Sequence, residues 1–203
     1  LVKENPTNTA KKDNSKAILF TNPINKNGDK FHPVITNIFG SFKALELIFG
    51  RDVDNIAKEI AALLKPKKPN SMKEKFDFFS YLLGLKSIFP KRLKGKGISQ
   101  ECQMEPNLYK LPVLKTWDDD GGAFITMGQV YTKTLNGTTQ NLGMYRLQIH
   151  SQNELGMHWQ IHKDAAHFFH EYKQAGQKMP VSVAIGGDPL YIWCGQAQLP
   201  KNI

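Results

Sequence analysis

The sequence predicts an α/β unit over residues 1–115 followed by a mainly β unit over residues 116–203. Three observations carry that division. Short apolar runs and amphipathic stretches alternate as far as Leu111-Pro112-Val113-Leu114. Beyond them, apolar and polar residues alternate between Gly- and Asn-rich turn signals, the pattern of a β-meander. The charge divides at the same place. Residues 1–115 hold 21 Lys/Arg and 11 Asp/Glu, a balance of +10, whereas residues 116–203 hold 6 and 7, a balance of −1.

Each element follows from local chemistry. Leu1 to Asp13 is polar and reads as weakly ordered. Ala17 to Thr21 is a short strand stopped by Asn22-Pro23, and Asn27-Gly28 is the tip of a turn leading to a second strand, Pro33 to Asn37. Ser41 caps a helix with Ala44, Leu45, Leu47 and Ile48 on its apolar face, and Gly50 ends it. Asp54 caps the next helix, Asn55 to Leu64, which Pro66 terminates. After a basic linker, Lys65 to Asn70, a helix runs from Lys73 to Ile88, interrupted or bent near Gly84. Its Phe76, Phe79, Leu82 and Leu83 fall at helical spacing and read as a buried stripe. Phe89 to Gly97 is a basic loop.

In the second unit, Gly122 to Tyr131 is a strand, Thr134 to Gln140 a hairpin turn on Asn136-Gly137, and Thr139 to Ile149 the central strand. Leu155 to Ile161 is a further strand. Asp164 to Gln174 is a helix capped by Asp164, with Ala165, Phe168, Phe169 and Tyr172 inward and His167 and His170 at the surface. Pro180 to Ile185 is a strand, Gly186 to Pro189 a turn, and Leu190 to Cys194 a short helix.

Composition excludes some classes and leaves others open. No apolar run approaches the roughly 18 to 20 residues that cross a bilayer as a helix. The first residues lack the apolar core of a signal peptide, and the absence of an initiating Met suggests an incomplete chain. Cys102 and Cys194, far apart and outside any CxxC pair, read as free thiols of a reducing, cytoplasmic compartment. Lys65 to Lys96 carries 10 basic and 2 acidic residues. Such a block suits nucleic acid, an anionic membrane surface or an acidic partner, and equally a solvated surface.

The candidate site centres on Asn141-Leu142-Gly143-Met144-Tyr145-Arg146. On a strand, Asn141, Gly143 and Tyr145 share one face and Met144 and Arg146 the other. An amide oxygen is a hard-metal ligand, a glycine lets a ligand approach the backbone, and a guanidinium grips oxyanions bidentately. The set suits an anionic cofactor or a metal-bound phosphate. The plainer reading, an ordinary strand with an exposed arginine, is the stronger one from these six residues alone. Asp118, Asp119 and Asp120 invite a cation, but the EF-hand spacing is absent and an exposed turn is preferred. His158 and His162 lack the HExxH glutamate, so a zinc site is weakly signalled. A histidine across a hairpin from Asn141 would add a nitrogen ligand to its oxygen.

Together these stretches carry a resemblance. Asn141 to Arg146, Met157 to His162 and Pro180 to Pro189, preceded by Phe39-Gly40-Ser41 and Trp117 to Thr126, resemble the UbiD family of decarboxylases in the same order, over residues 14–203. The resemblance implies a flavin-binding split β-barrel for the second unit, incomplete here. It implies prenylated flavin mononucleotide (prenylated FMN) as cofactor and non-oxidative decarboxylation of an aromatic acid, such as a 4-hydroxy-3-polyprenylbenzoate. Asn141 and His162 match two ligands of a divalent metal, manganese by expectation, at the cofactor phosphate. Arg146 matches the arginine at the reacting centre. Leu142, Gly143, Met144 and Tyr145 match the segment lining the flavin. Gly195, Gln196 and Ala197 match a loop that meets the cofactor and a monovalent cation such as K+.

The same resemblance implies a flavin prenyltransferase as cofactor supplier and a homo-oligomer of the full-length protein. It also implies a cytoplasmic location with peripheral contact at the inner face of the membrane. It puts the third metal ligand and the catalytic glutamates beyond Ile203, so the chain as it stands is expected to be an inactive portion of the enzyme. Two other classes stay open: a non-catalytic flavin-binding module without a metal, and a basic protein that binds RNA or a membrane surface through Lys65 to Lys96.

Overall fold

The computed structural model describes residues 15–24, 28–64, 71–85 and 94–197. The expected weakly ordered N-terminus, the Asn27 tip, the Lys65 to Asn70 linker with Pro66 and the start of the basic loop at Phe89 lie outside them. The chain forms two compact units, one of Leu1–Val53 with Pro106–Ile203 and one of Asp54–Glu105.

In the first unit, β1 (Ile18–Phe20) and β2 (Val34–Thr36) pair antiparallel. α1 (Phe42–Phe49) starts where the Ser41 hydroxyl accepts from the Ala44 amide and stops at Gly50, whose φ of 67° suits a residue without Cβ. The main sheet has the order β5-β4-β3-β6, from β3 (Phe124–Lys133), β4 (Gln140–Ile149), β5 (Leu155–Met157) and β6 (Ser182–Ala184), with every pairing antiparallel. The β3–β4 turn is the expected one. Asn136 Oδ1 accepts from the Thr138 amide and from the hydroxyls of Thr134 and Thr138, and Gly137 takes a φ of 71°. Short strands and helices thus precede an antiparallel sheet, as the α/β-then-β reading requires.

A bulge sets the register. Ile125 pairs with Leu147 but Gly128 pairs with Tyr145, so β3 carries one extra residue there. Gly128 is needed because a Cβ would collide with the Leu147 side chain. The core lies where the sheet meets α4 (Asp164–Gln174) and α5 (Pro189–Cys194). Val130, Leu147 and Ala165 are fully buried there, with Tyr145, Phe168, Tyr172 and Ile192 nearly so. Trp159 packs edge-on to Tyr145 at 5.2 Å and stacks on Phe169 at 5.9 Å. Phe49 of α1 meets Trp193 of α5 edge-to-face at 5.0 Å.

Several expectations are corrected. α2 (Val53–Leu64) begins before Asp54, which sits in its first turn. α3 (Met72–Leu85) is not interrupted at Gly84, and its expected end at Ile88 lies outside the described residues. Of the stripe expected to be buried on it, Phe76, Phe79 and Leu83 are exposed, because helical spacing defines a face without supplying a surface to cover it. β5 ends at Met157, so His158 to Ile161 is loop. Lys163, not Asp164, occupies the N-cap of α4, and Phe169 is partly exposed.

Leu147 touches both the bulge and the core, so Leu147→Ala is expected to cost about 2–5 kcal/mol, as large-to-small changes at closed sites do. Urea unfolding followed by circular dichroism measures this; a midpoint equal to that of the parent chain contradicts the placement.

Candidate functional site

The alternation of β4 holds as expected. Gly143, Tyr145 and Leu147 are buried, and Met144 and Arg146 face outward. The Arg146 guanidinium donates from Nη2 to Asp120 Oδ2 at 2.7 Å and lies 3.6 Å above the Phe124 ring. Asp120 Oδ2 also accepts from the Trp117 amide at 3.3 Å. The hydrogen bond from Arg146 holds the Asp120 carboxyl below the usual carboxylate range, against the opposing effect of desolvation. Asp120, the last of the three aspartates, is therefore the counter-ion of Arg146. The sequence could not show this, because the β3 bulge decides which β4 residue the turn reaches.

Met144 is held on both sides of its peptide. Its amide donates to the Gly195 carbonyl at 3.0 Å, and its carbonyl accepts from Lys163 Nζ at 3.0 Å. A Cβ at Gly195 would stand 3.3 Å from the Met144 nitrogen, so glycine permits this approach. Two stretches singled out separately in the sequence, Leu142 to Tyr145 and Gly195 to Ala197, thus meet in space. Lys163 Nζ also stands 4.9 Å over the Tyr145 ring.

A cleft of about 590 Å³ opens beside this strand, lined among others by Met144, Tyr145, Arg146, His158, Gln160 and Lys163. Two of its side chains are fixed cations, and the carboxylate beside them, Asp120, is engaged by Arg146. The arrangement can hold an anionic ligand with an apolar or aromatic body. Gln160 and Lys163 were missed by sequence reasoning, which noted His158 only as half of a weak zinc signal and carried His162 forward; a short β5 followed by a loop was the feature needed to find them.

The other expected residues lie elsewhere. Asn141 is half-buried opposite Thr132 in the ladder, and His162 is exposed in the turn before α4. Leu142 and Gly143 precede Met144 on β4, and Gln196 and Ala197 close the turn after α5. Among the described residues no group of three or more His, Cys, Asp or Glu could hold a metal. Asn141 and His162 therefore offer at most part of a ligand set. For an anionic cofactor the fit is better. The Lys163 ammonium and the glycine-permitted approach at Gly195 are present. Burial pushes the Tyr145 phenol up to about 12, partly offset by the Ala165 backbone.

Two outcomes follow. In an NMR titration the Asp120 carboxyl is expected to titrate below the ordinary Asp range, and Arg146→Ala to return it toward that range; an ordinary value in the parent chain contradicts the pairing. Tyr145 is neutral in both folded and unfolded chains below its ordinary value of 10.0. Above it the unfolded chain ionises first, so stability falls as pH rises through the window from 10.0 to about 12. Tyr145→Phe is expected to flatten that alkaline limb in urea titrations, and an unchanged limb contradicts the burial of the phenol.

Comparison with known proteins places these features. Residues 91–203, just over half of the chain, match the 3-octaprenyl-4-hydroxybenzoate carboxy-lyase Rift-related domain, and residues 7–64 match the N-terminal domain of the same carboxy-lyases. A protein of Helicobacter pylori is 50% identical over 96% of this chain and 32% of its own length. A 4-hydroxybenzoate decarboxylase component of Chlamydia pneumoniae is 37% identical over 94% of this chain and 32% of its own. The chain thus spans about a third of the length of these relatives. Among solved structures, vanillic acid decarboxylase of Sedimentibacter hydroxybenzoicus in its closed form has a TM-score of 0.63 at 23% identity, over 87% of this chain and 35% of that one. The UbiD-class enzyme HmfF of Pelotomaculum thermopropionicum, in complex with FMN, has a TM-score of 0.65 at 21% identity, over 84% and 35%. These two likenesses establish the fold.

Proposed function

The chain belongs to the UbiD family of carboxy-lyases, and we propose that in the full-length protein it forms the arginine side of a site for prenylated-FMN-dependent, non-oxidative decarboxylation of an aromatic acid. The substrate class is a 4-hydroxy-3-polyprenylbenzoate or a related quinone precursor. In this reading residues 1–115 are the N-terminal domain and residues 116–203 the first part of the flavin-binding split barrel. The observation that carries it is Arg146, fixed between Asp120 and the Phe124 ring at a cleft that it shares with Lys163.

Prenylated FMN, when bound, supplies the electron sink for the bond between the ring and its carboxylate. The chain's own residues orient and bind. Arg146 presents a planar pair of donors to a carboxylate, and its ion pair with Asp120 and its contact with Phe124 limit the rotamers it must give up on binding. Lys163 adds a second positive charge beside Tyr145, whose phenol is neutral near pH 7. Leu142, Gly143, Met144 and Tyr145 line the flavin, and Gly195, Gln196 and Ala197 bring backbone groups to it and to a K+ ion. Asn141 and His162 would hold a divalent metal such as Mn2+ that would neutralise cofactor phosphate charge, and a third ligand would come from outside this chain. Proton return to the product also needs groups outside it, so the chain alone binds rather than turns over. A flavin prenyltransferase supplies the cofactor, and the full-length protein works in the cytoplasm as a homo-oligomer.

In the full-length enzyme, Arg146→Ala is expected to lower kcat/KM by roughly 10²-fold or more, the scale of losing a charge-stabilising donor, with flavin content unchanged. Asn141→Ala and His162→Ala are expected to lose manganese and flavin together, read by elemental analysis and absorbance. Parent-level turnover in the first variant, or parent-level metal and flavin in the other two, contradicts the corresponding role.

A further inference from the structure

The strand that carries Arg146 brings another side chain to the same cleft. Gln148 lies two residues further along β4, so it projects from the same face as Met144 and Arg146, and it lines the cleft with them. Its direct partner on β3 is Phe124, the ring on which the Arg146 guanidinium lies at 3.6 Å. Its partner on β5 is Gly156, which brings no side chain to the cleft wall. Gln148 is half-buried in that row. Both long side chains reach one turn. Arg146 Nη2 donates to Asp120 Oδ2 at 2.7 Å, and a Cβ added to either of the next two residues, Gly121 or Gly122, would stand 3.2 Å from Gln148 Nε2. The two glycines thus make the room that the Gln148 amide occupies. Consecutive Cα atoms are about 3.8 Å apart, so the guanidinium and the amide come together at one end of the cleft. Among the described residues the Gln148 side chain has no hydrogen-bond partner.

We propose that Gln148 is a further substrate-binding residue, whose side-chain amide donates to the carboxylate that Arg146 binds. The proposal rests on the reading of the cleft as the seat of an aromatic acid. Arg146 already gives one guanidinium nitrogen to Asp120. A carboxylate offers two oxygens and about four lone-pair sites, so it accepts from the amide as well as from the guanidinium. The amide adds a donor without adding charge. Its contribution is orientation, since a second donor on a different residue fixes the plane of the carboxylate against the ring. It also gives selectivity, because a ligand without the carboxylate leaves a half-buried amide unpaired. Gln160 and His158 line the same cleft but are exposed and come from the loop after β5, so neither has a turn that seats it.

The test is titration calorimetry of the full-length, flavin-loaded protein with 4-hydroxybenzoate and with 4-methylphenol, which has a methyl group in place of the carboxylate. Gln148→Leu is expected to weaken 4-hydroxybenzoate binding about tenfold or more, the scale of a hydrogen bond to a charged group, and to change 4-methylphenol binding by less than about twofold. Flavin content and absorbance are expected to stay at parent values. Gly121→Ala provides a second variant that leaves Gln148 in place. Gly121 is exposed, its backbone is one that alanine adopts, and the only atom its Cβ meets is Gln148 Nε2. It is expected to weaken 4-hydroxybenzoate binding about threefold in the parent protein and to add nothing in the Gln148→Leu background. Parent-level 4-hydroxybenzoate affinity in Gln148→Leu, an equal loss for both ligands, or a Gly121→Ala effect that persists without Gln148 overturns the proposal alone. Loss of flavin from Gln148→Leu overturns it in favour of a cofactor contact. A flavin-loaded parent protein that binds no 4-hydroxybenzoate overturns the aromatic-acid reading and the proposal with it.

Discussion

Everything around the cleft depends on how the peptide of Met144 is held. Its amide is tied to Gly195 beyond α5, and its carbonyl to the Lys163 ammonium at the head of α4. β5 covers only Leu147 to Ile149 of β4, so at Met144 the ladder has no strand on that side. A backbone carbonyl left without a partner in a partly buried place costs free energy comparable to a lost hydrogen bond. Two loops distant in sequence supply the partners instead, and in doing so they fix the strand that carries Tyr145 and Arg146. The cleft exists because the sheet stops short there, and its charge follows because one of the two partners is a lysine.

The second constraint is electrostatic. Arg146 is partly exposed and its partner Asp120 is 12% exposed, so the pair is worth less for stability than for geometry. Its use is to aim a guanidinium. The Phe124 ring lies below it and the Asp120 carboxylate beside it, and it lines a cleft where Lys163 adds a second charge and no carboxylate stands in the lining. That imbalance favours an anion, whereas Phe124, Met144 and Met157 in the same lining favour an apolar body next to it.

Much of this was legible in the sequence, and the boundary of what was legible has physical causes. The strand from Gln140 to Ile149, its alternation, the Asn136-Gly137 turn, the Ser41 and Gly50 ends of α1 and the α4 boundaries are local, and local rules find them. The Asp120–Arg146 pair and the Lys163–Met144 bond are not local. The first depends on a one-residue bulge between Ile125 and Gly128, the second on a strand three residues long where seven were expected. The stripe on α3 is a face, as its spacing says, but not a buried one, since periodicity cannot supply the surface that covers it. Family resemblance added what spacing could not, the reading of Asn141 and His162 as ligands of one ion. It also drew attention away from His158, which lines the cleft.

The central claim is that this strand and its two loops form one side of a flavin site. The measurement that tests it most directly is mass spectrometry of the small molecule released from the full-length protein after co-expression with a flavin prenyltransferase, with Gly195→Val beside it. The account predicts prenylated FMN from the parent protein and its loss from the variant, because the added side chain separates residue 195 from the Met144 amide. A folded parent protein that releases no flavin, or a variant that retains it fully, contradicts the account.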